Sequence, residues 1–326
     1  MKRLLFTAFG SALLIIGCSE PTPDAFQVSL PTHIPPVPWP ESAPTVAEVE
    51  LGEALFHSTQ LSLNREISCA SCHLPSHAFS DTSSVSLGIH RQSGFRNTPS
   101  IFNVAWKEHF FMEGGVDRLE RATLGPMLVE EEMSLQAPEL MKRLREDIVF
   151  HEKFVAVYGE SYDYANVVDA LSAFQRSAIS VDSKWDAVQE GIEEFLDDEA
   201  LGLALFESDS LACSSCHKPP FFKDGDFHDV GMPIGEDPDF GRGRFTFDTT
   251  DYYSFSTPSL RNVELTAPYM HDGSISTLDS VIRFYEAGGV RESEISAFTL
   301  QDEHRSALIS FLKSLSGREA KRAYKE

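Results

Sequence analysis

Four cysteines and two histidines carry the clearest chemistry in this chain, set as Cys69-Ala70-Ser71-Cys72-His73 and again as Cys213-Ser214-Ser215-Cys216-His217. C-x-x-C-H is the attachment pattern of a c-type haem: two thiols add across the porphyrin vinyl groups, and the adjacent histidine places its imidazole on the iron. One copy arises easily by chance, whereas two in one chain point to two covalent haems. A zinc site would need four closed ligands, and a thioredoxin-like redox pair asks for no histidine after either motif.

With His73 and His217 as fifth ligands, function turns on the sixth position of each iron. A filled position moves electrons and an open one does chemistry with oxygen species. The decisive stretch is Thr266-Ala267-Pro268-Tyr269-Met270-His271-Asp272-Gly273-Ser274, followed by a short helix from Thr277. Leu278, Val281, Ile282 and Tyr285 share one face of that helix, and Gly288-Gly289 ends it. Tyr285 is therefore expected to point inward. A phenolate-like oxygen favours ferric and higher states, while a thioether favours ferrous iron.

The elements that must hold these groups also repeat. Leu51-Gly52-Glu53-Ala54-Leu55-Phe56 precedes the first motif, and Leu201-Gly202-Leu203-Ala204-Leu205-Phe206 precedes the second. Two related haem modules follow, over 46–190 and 191–326. A helix runs from Val46 through Phe56, and the chain from Cys72 to Glu132 is mostly loop of the kind that carries function. From Ala137 to Ile192 the pattern is helical, with Val167, Leu171, Phe174 and Ala178 on one apolar face. The acidic run Glu190 to Ala200 marks the module boundary, and Phe221 to Phe255 mirrors the first loop. Thr299-x-x-Asp302 reads as a capping box for a last helix carrying Leu308, Phe311, Leu312 and Leu315 and stopped by Gly317. The fold expected is mostly α: two cytochrome c-like haem domains with long loops and little strand.

At 326 residues the chain suits two domains. Of its five cysteines only Cys18 lies outside the haem motifs, so no pair remains for a structural disulfide. Lys2-Arg3, an apolar run from Leu4 to Ile16 and Gly17 before Cys18 have the order of a secretory signal. Ile15-Ile16-Gly17-Cys18 resembles a bacterial lipobox, which would remove residues 1–17 and lipidate Cys18; a plain signal peptide cut nearby is the alternative. Export to the periplasm fits haem attachment. Residues 19–44 hold eight of the eighteen prolines and no periodic pattern, so 18–45 reads as a semi-rigid tether. The only membrane contact expected is the lipid anchor. The formal net charge of −23 deepens by two if Lys2 and Arg3 leave with the signal. Nucleic acid is excluded as a partner, and a basic electron donor or basic protein substrate is favoured.

Arg96-Asn97-Thr98-Pro99-Ser100, Leu124-Gly125-Pro126, Glu132-Met133, Thr257-Pro258-Ser259-Leu260-Arg261-Asn262 and Ala267-Pro268-Tyr269-Met270-His271-Asp272-Gly273 complete the pattern. With both C-x-x-C-H motifs, the chain resembles the bacterial di-haem cytochrome c peroxidase and MauG superfamily over essentially all of its mature length. In that superfamily the residue fourteen after the H-D-G histidine is the second axial ligand of the C-terminal haem. It is methionine in peroxidases fed by small cytochromes and tyrosine in MauG and MbnH. Fourteen after His271 is Tyr285, so the resemblance implies Tyr285 as ligand and places the chain nearer the MauG and MbnH branch; the alternative is a core tyrosine with a satisfied hydroxyl and Met270 or Met232 as ligand.

The resemblance implies further roles. It puts a distal glutamate on Glu132, with Pro126 beside it, to move the proton during peroxide cleavage. Glu132 is also one of three consecutive glutamates, and on the residues alone a solvated run is favoured. His271 joins the catalytic group. The Asn97 side chain and the Thr266 and Pro268 carbonyls match a calcium site between the haems, hard oxygen donors that otherwise read as a polar turn. Two departures stand out. Met112 occupies the usual inter-haem tryptophan position and is harder to oxidise, with Trp106, Phe110 or Phe111 as substitutes where geometry allows. His90 lies one residue from where some peroxidases carry a removable histidine ligand, or it is a loop-surface histidine.

The function expected is an oxidoreductase that uses hydrogen peroxide to form a high-valent di-haem state and oxidises an aromatic residue, tryptophan first, of a partner protein. The alternative is a cytochrome c peroxidase reducing peroxide to water with electrons from a small cytochrome or cupredoxin. A third reading is a non-enzymatic electron-transfer cytochrome with two filled haems.

Overall fold

The computed structural model describes residues 24–325, and strand is almost absent among them. The first module is built from α1 (Val46–Phe56), α2 (Leu119–Leu128), α3 (Ala137–Glu146), α4 (Ile148–Tyr158) and α5 (Tyr164–Ser177). α6 (Lys184–Gln189) falls before the boundary at 190 yet sends Trp185 into the second core, and the second module holds α7 (Asp197–Phe206), α8 (Cys213–Cys216), α9 (Gly243–Thr246), α10 (Leu278–Glu286), α11 (Asp302–Ser314) and α12 (Arg318–Lys325). The only sheet among the described residues pairs β1 (Phe227–His228) with β2 (Phe255–Ser256), antiparallel.

Capping chemistry starts the framing helices. The Thr45 hydroxyl accepts from the Glu48 amide at the head of α1, and Asp163 with Asn166 forms a capping box at the head of α5. α1 then lies along α5, and α7 along α11. The glycine of each L-G-x-A-L-F stretch is the contact point. A Cβ at Gly52 would stand 1.9 Å from the Ala170 carbonyl oxygen, and one at Gly202 would stand 2.1 Å from that of Ala307. One turn on, Phe56 meets Phe174 with ring centroids 5.0 Å apart, and Phe206 meets Phe311 at 5.1 Å. Helix pairs of one geometry thus close two separate cores. Leu51, Leu55, Leu140, Leu144, Phe154 and Leu171 fill the first; Trp185, Phe206, Phe222, Leu308, Phe311 and Leu315 fill the second. Each fully buried side chain of this size contributes roughly 1.5–3 kcal/mol.

Three expectations are corrected. Residues 24–45 of the supposed tether are docked, while Cys18 and the signal lie outside the described residues. Phe26 N–H donates to the Pro44 carbonyl, Ile34 is buried against Val181 and Phe221, and Trp106 Nε1 donates to the Pro36 carbonyl at 3.2 Å. Proline stiffness lowered the entropy cost of laying this strap down, and periodicity was no guide because a strap has none. The second correction is that α11 is capped at Gln301, not Thr299. The third is that the helix stopped before Gly317 is not the last: α11 ends at Ser314, Gly317 N–H donates to Asn262 Oδ1, and the chain resumes as α12.

Candidate di-haem active site

Each C-x-x-C-H motif forms a single tight turn, with the cysteines unpaired as thioether attachment requires. His73 Nδ1 donates to the Phe79 carbonyl at 3.0 Å, and His217 Nδ1 donates to the Phe222 carbonyl at 3.0 Å. A carbonyl only accepts, so both rings carry their proton on Nδ1 and leave Nε2 free for a metal. Burial lowers the pKa of both histidines and keeps the ligand form neutral. The acceptor loops repeat as well: Ser100 Oγ donates to the Ala78 carbonyl and Ser259 Oγ to the Phe221 carbonyl, both at 2.6 Å.

The distal elements show a correspondence that the sequence reading missed. Phe110 N–H bonds to Val116 O, and Tyr269 N–H to Ile275 O, closing two turns of equal length. Phe111 and Met270 take positive φ of 62° and 72°, and Gly114 and Gly273 follow at 68° and 66°. Met112 therefore corresponds to His271. Each turn is pinned by the opposite module: Ser256 N–H donates to the Met112 carbonyl at 2.7 Å, and Asn97 N–H to the His271 carbonyl at 2.9 Å. α2 begins three residues after Val116 and α10 three residues after Ile275. Counting along both helices sets Pro126 in the place of Tyr285. The signal was present in the parallel strings Phe110-Phe111-Met112-Glu113-Gly114 and Tyr269-Met270-His271-Asp272-Gly273.

Chemically the two positions differ. Tyr285 lies half-buried beside the second motif; burial pushes its hydroxyl up to about 12, and the charges of Cys213 and Cys216 add to the rise. The proline side chain has no donor atom, so none is offered to a metal from that position of α2. Glu132 sits just beyond α2, beside the first motif. Burial raises its carboxyl, the Glu131 charge raises it further, and its own charge contributes to raising Cys69 and Cys72.

The remaining predicted residues are placed as follows. His271 stacks on Phe255, centroids 3.9 Å apart and 11° from parallel, and burial lowers its pKa. Arg96 clamps this region, paired bidentately with Asp239 at 2.7 and 2.8 Å and also with Glu113. The Asn97 amide donates to the Ser83 and Ser84 carbonyls, while its backbone N–H holds His271, three residues after Pro268. Gly273 packs on the same loop; its φ of 66° and the 2.5 Å that would separate an added Cβ from Ser84 Cα both exclude a side chain. His90 is exposed in a left-handed conformation. Met112 is half-buried, and Trp106 stacks on Phe221 at 4.7 Å rather than lying in the turn.

The family model for di-haem cytochrome c peroxidase matches residues 46–194. The chain is 34% identical to the methylamine utilization protein MauG of Methylorubrum extorquens, over 87% of this chain and 82% of that protein. The chain belongs to the di-haem cytochrome c peroxidase and MauG family. It is accordingly an oxidoreductase with two c-type haems, and its mostly helical architecture is the family's. Cytochrome c peroxidase Ccp of Escherichia coli is 31% identical over 87% of this chain and 61% of its own length. Among solved structures, a MauG-like protein associated with microbial copper homeostasis superposes with a TM-score of 0.86 at 31% identity, covering 90% of this chain and 96% of that one. The residue pattern fits the haems: two thiol pairs, two neutral imidazoles with free Nε2, and a distal side on each module.

Proposed function

We propose that the protein is a MauG-like periplasmic enzyme that uses hydrogen peroxide to oxidise an aromatic residue, tryptophan first, of a partner protein. The observation that carries this reading is the asymmetry between α2 and α10: Pro126 at one position, Tyr285 at its counterpart. The first module, 46–190, would hold its haem iron through His73 alone, and the second, 191–326, through His217 and Tyr285. When bound, the haems supply two-electron redox chemistry with peroxide and store the oxidising equivalents. Glu132, as carboxylate, takes the proton from the near peroxide oxygen and returns it to the far one. Burial raises that carboxyl, which makes it a stronger base than an ordinary surface glutamate in the first step. Pro126 keeps the α2 face free of competing ligands. His271, fixed on Phe255, and Arg96, fixed by Asp239 and Glu113, set the turn between the modules.

Calcium is assigned to Asn97 Oδ1 with the Thr266 and Pro268 carbonyls, an all-oxygen donor set suited to a hard cation. Metal analysis of the purified holoprotein is expected to find calcium and to lose it in Asn97→Ala. The leader supports export and lipidation at Cys18. The net charge of −23 supports a basic partner.

The test is a paired optical and EPR titration of the ferric protein with stoichiometric peroxide, on wild type and Tyr285→Phe. One high-spin and one low-spin signal at the start, both lost together on peroxide addition in wild type alone, support the reading. A ferric protein inert until half-reduced by a donor, with an unchanged variant, replaces it with the peroxidase reading that the Escherichia coli relative favours.

A further inference from the structure

Between the modules lies a pocket of about 130 Å³ whose lining includes Trp106, Lys107, Glu108, His109, Lys223 and Asp224; Glu108 is exposed and pairs with neither lysine. Two lysines face one small space, yet neither forms an ion pair among the described residues. Lys107 has no side-chain hydrogen bond there, and Lys223 has one, to the Trp106 carbonyl at 2.7 Å, which leaves two of its three protons unused. This occurs in a chain with 50 acidic residues against 27 basic ones, where a carboxylate partner is easy to supply. Asp224 lines the pocket but is taken by His228, at 2.9 Å. Burial lowers Lys107, and burial followed by the Lys107 charge brings Lys223 down to about 8, although Glu108 works in the opposite direction.

The internal repeat gives this pocket a counterpart. Lys107-Glu108-His109 precede Phe110 as Thr266-Ala267-Pro268 precede Tyr269, and Ser256 pins one turn as Asn97 pins the other. The Asn97 side presents oxygen donors, whereas the Lys107 side presents two ammonium groups, the opposite polarity. Like charges held together in a half-buried space cost free energy that a bound anion would recover.

We propose that this pocket is an anion site in which Lys107 and Lys223 jointly hold a carboxylate or another small oxyanion between the two modules. Two carriers supply that chemistry: a free oxyanion, and the propionate of one of the protein's own haems. Either would tie the modules together across Trp106.

The experiment uses the holoprotein with both haems, at fixed ionic strength, with inorganic phosphate as probe. Lysine labelling by an amine reagent is read by peptide mass spectrometry, with exposed Lys153 as reference, and both haem potentials are measured in wild type, Lys107→Gln and Lys223→Gln. With a free anion, phosphate protects both lysines saturably, by about tenfold at ten times its dissociation constant, and each variant loses protection at the remaining lysine. With a propionate, both lysines label slowly without phosphate, and each variant lowers the potential of one haem because a nearby positive charge has gone. Labelling at the Lys153 rate with and without phosphate overturns the proposal. So does slow labelling with unchanged potentials and no phosphate effect, since burial alone then explains it.

Discussion

Glu132 and Asp186 are both carboxylates that burial would push upward, and their neighbours send them in opposite directions. Glu132 has only Glu131 beside it and stays raised. Its base form is lost as pH falls through that raised value, so the bimolecular rate with peroxide should rise with pH and then level off. Stopped-flow traces of Glu132→Gln should lose this limb and run about 10²–10⁴-fold slower. For Asp186, burial is outweighed by the bidentate Arg261 contacts, both 2.8 Å, and the carboxyl is held down at about 2. Being depressed below its ordinary 3.8, it contributes stability that is fully present above pH 3.8 and is lost as pH falls toward 2. Asp186→Asn strands the buried guanidinium and should cost about 3–5 kcal/mol in denaturant unfolding of the holoprotein.

Helix pairs are the next scale, and there the two glycines that let α1 meet α5 and α7 meet α11 decide the geometry. Gly52→Ala and Gly202→Ala each force a methyl into a backbone carbonyl. Losses of about 1–3 kcal/mol or more are expected in chemical denaturation, with poorer haem incorporation. α2 and α10 make the complementary point about function. They follow equivalent turns, but Pro126 cannot supply the oxygen that Tyr285 supplies. Pro126→Tyr should therefore add a second low-spin haem signal in the ferric EPR spectrum and suppress the reaction with peroxide. An unchanged high-spin signal would show that α2 does not face the first haem as α10 faces the second.

Across the whole molecule the modules are interlocked rather than merely adjacent, since Asn97 holds the turn of the second and Ser256 holds the turn of the first. The docked strap adds a third tie: His33 contacts Asp186 at 2.8 Å and Glu190 at 3.2 Å, while Thr32 also donates to Glu190. The net charge of −23 sets the long-range field. Association with a basic partner should slow steeply as ionic strength rises past about 0.1 M, where the screening length is about 10 Å. A rate independent of salt in stopped-flow or surface-binding measurements would remove electrostatic steering from the account.

Covalent haem attachment is specified within five consecutive residues, so Cys69–His73 and Cys213–His217 announced both haems from the sequence alone. Helix periodicity and the L-G-x-A-L-F repeat likewise made the mostly α, two-module plan legible, because both depend on near neighbours in the chain. Tertiary packing alone decided what stands around the haem sites. Glu132 approaches Cys69 and Cys72 across some sixty residues of irregular chain, and Lys223 reaches Trp106 across 117. No local pattern encodes such approaches. A loop's course is set by the side chains it finally packs against, which is also why the proline-rich strap of 24–45 read as a free tether until Ile34 and His33 were seen to have partners.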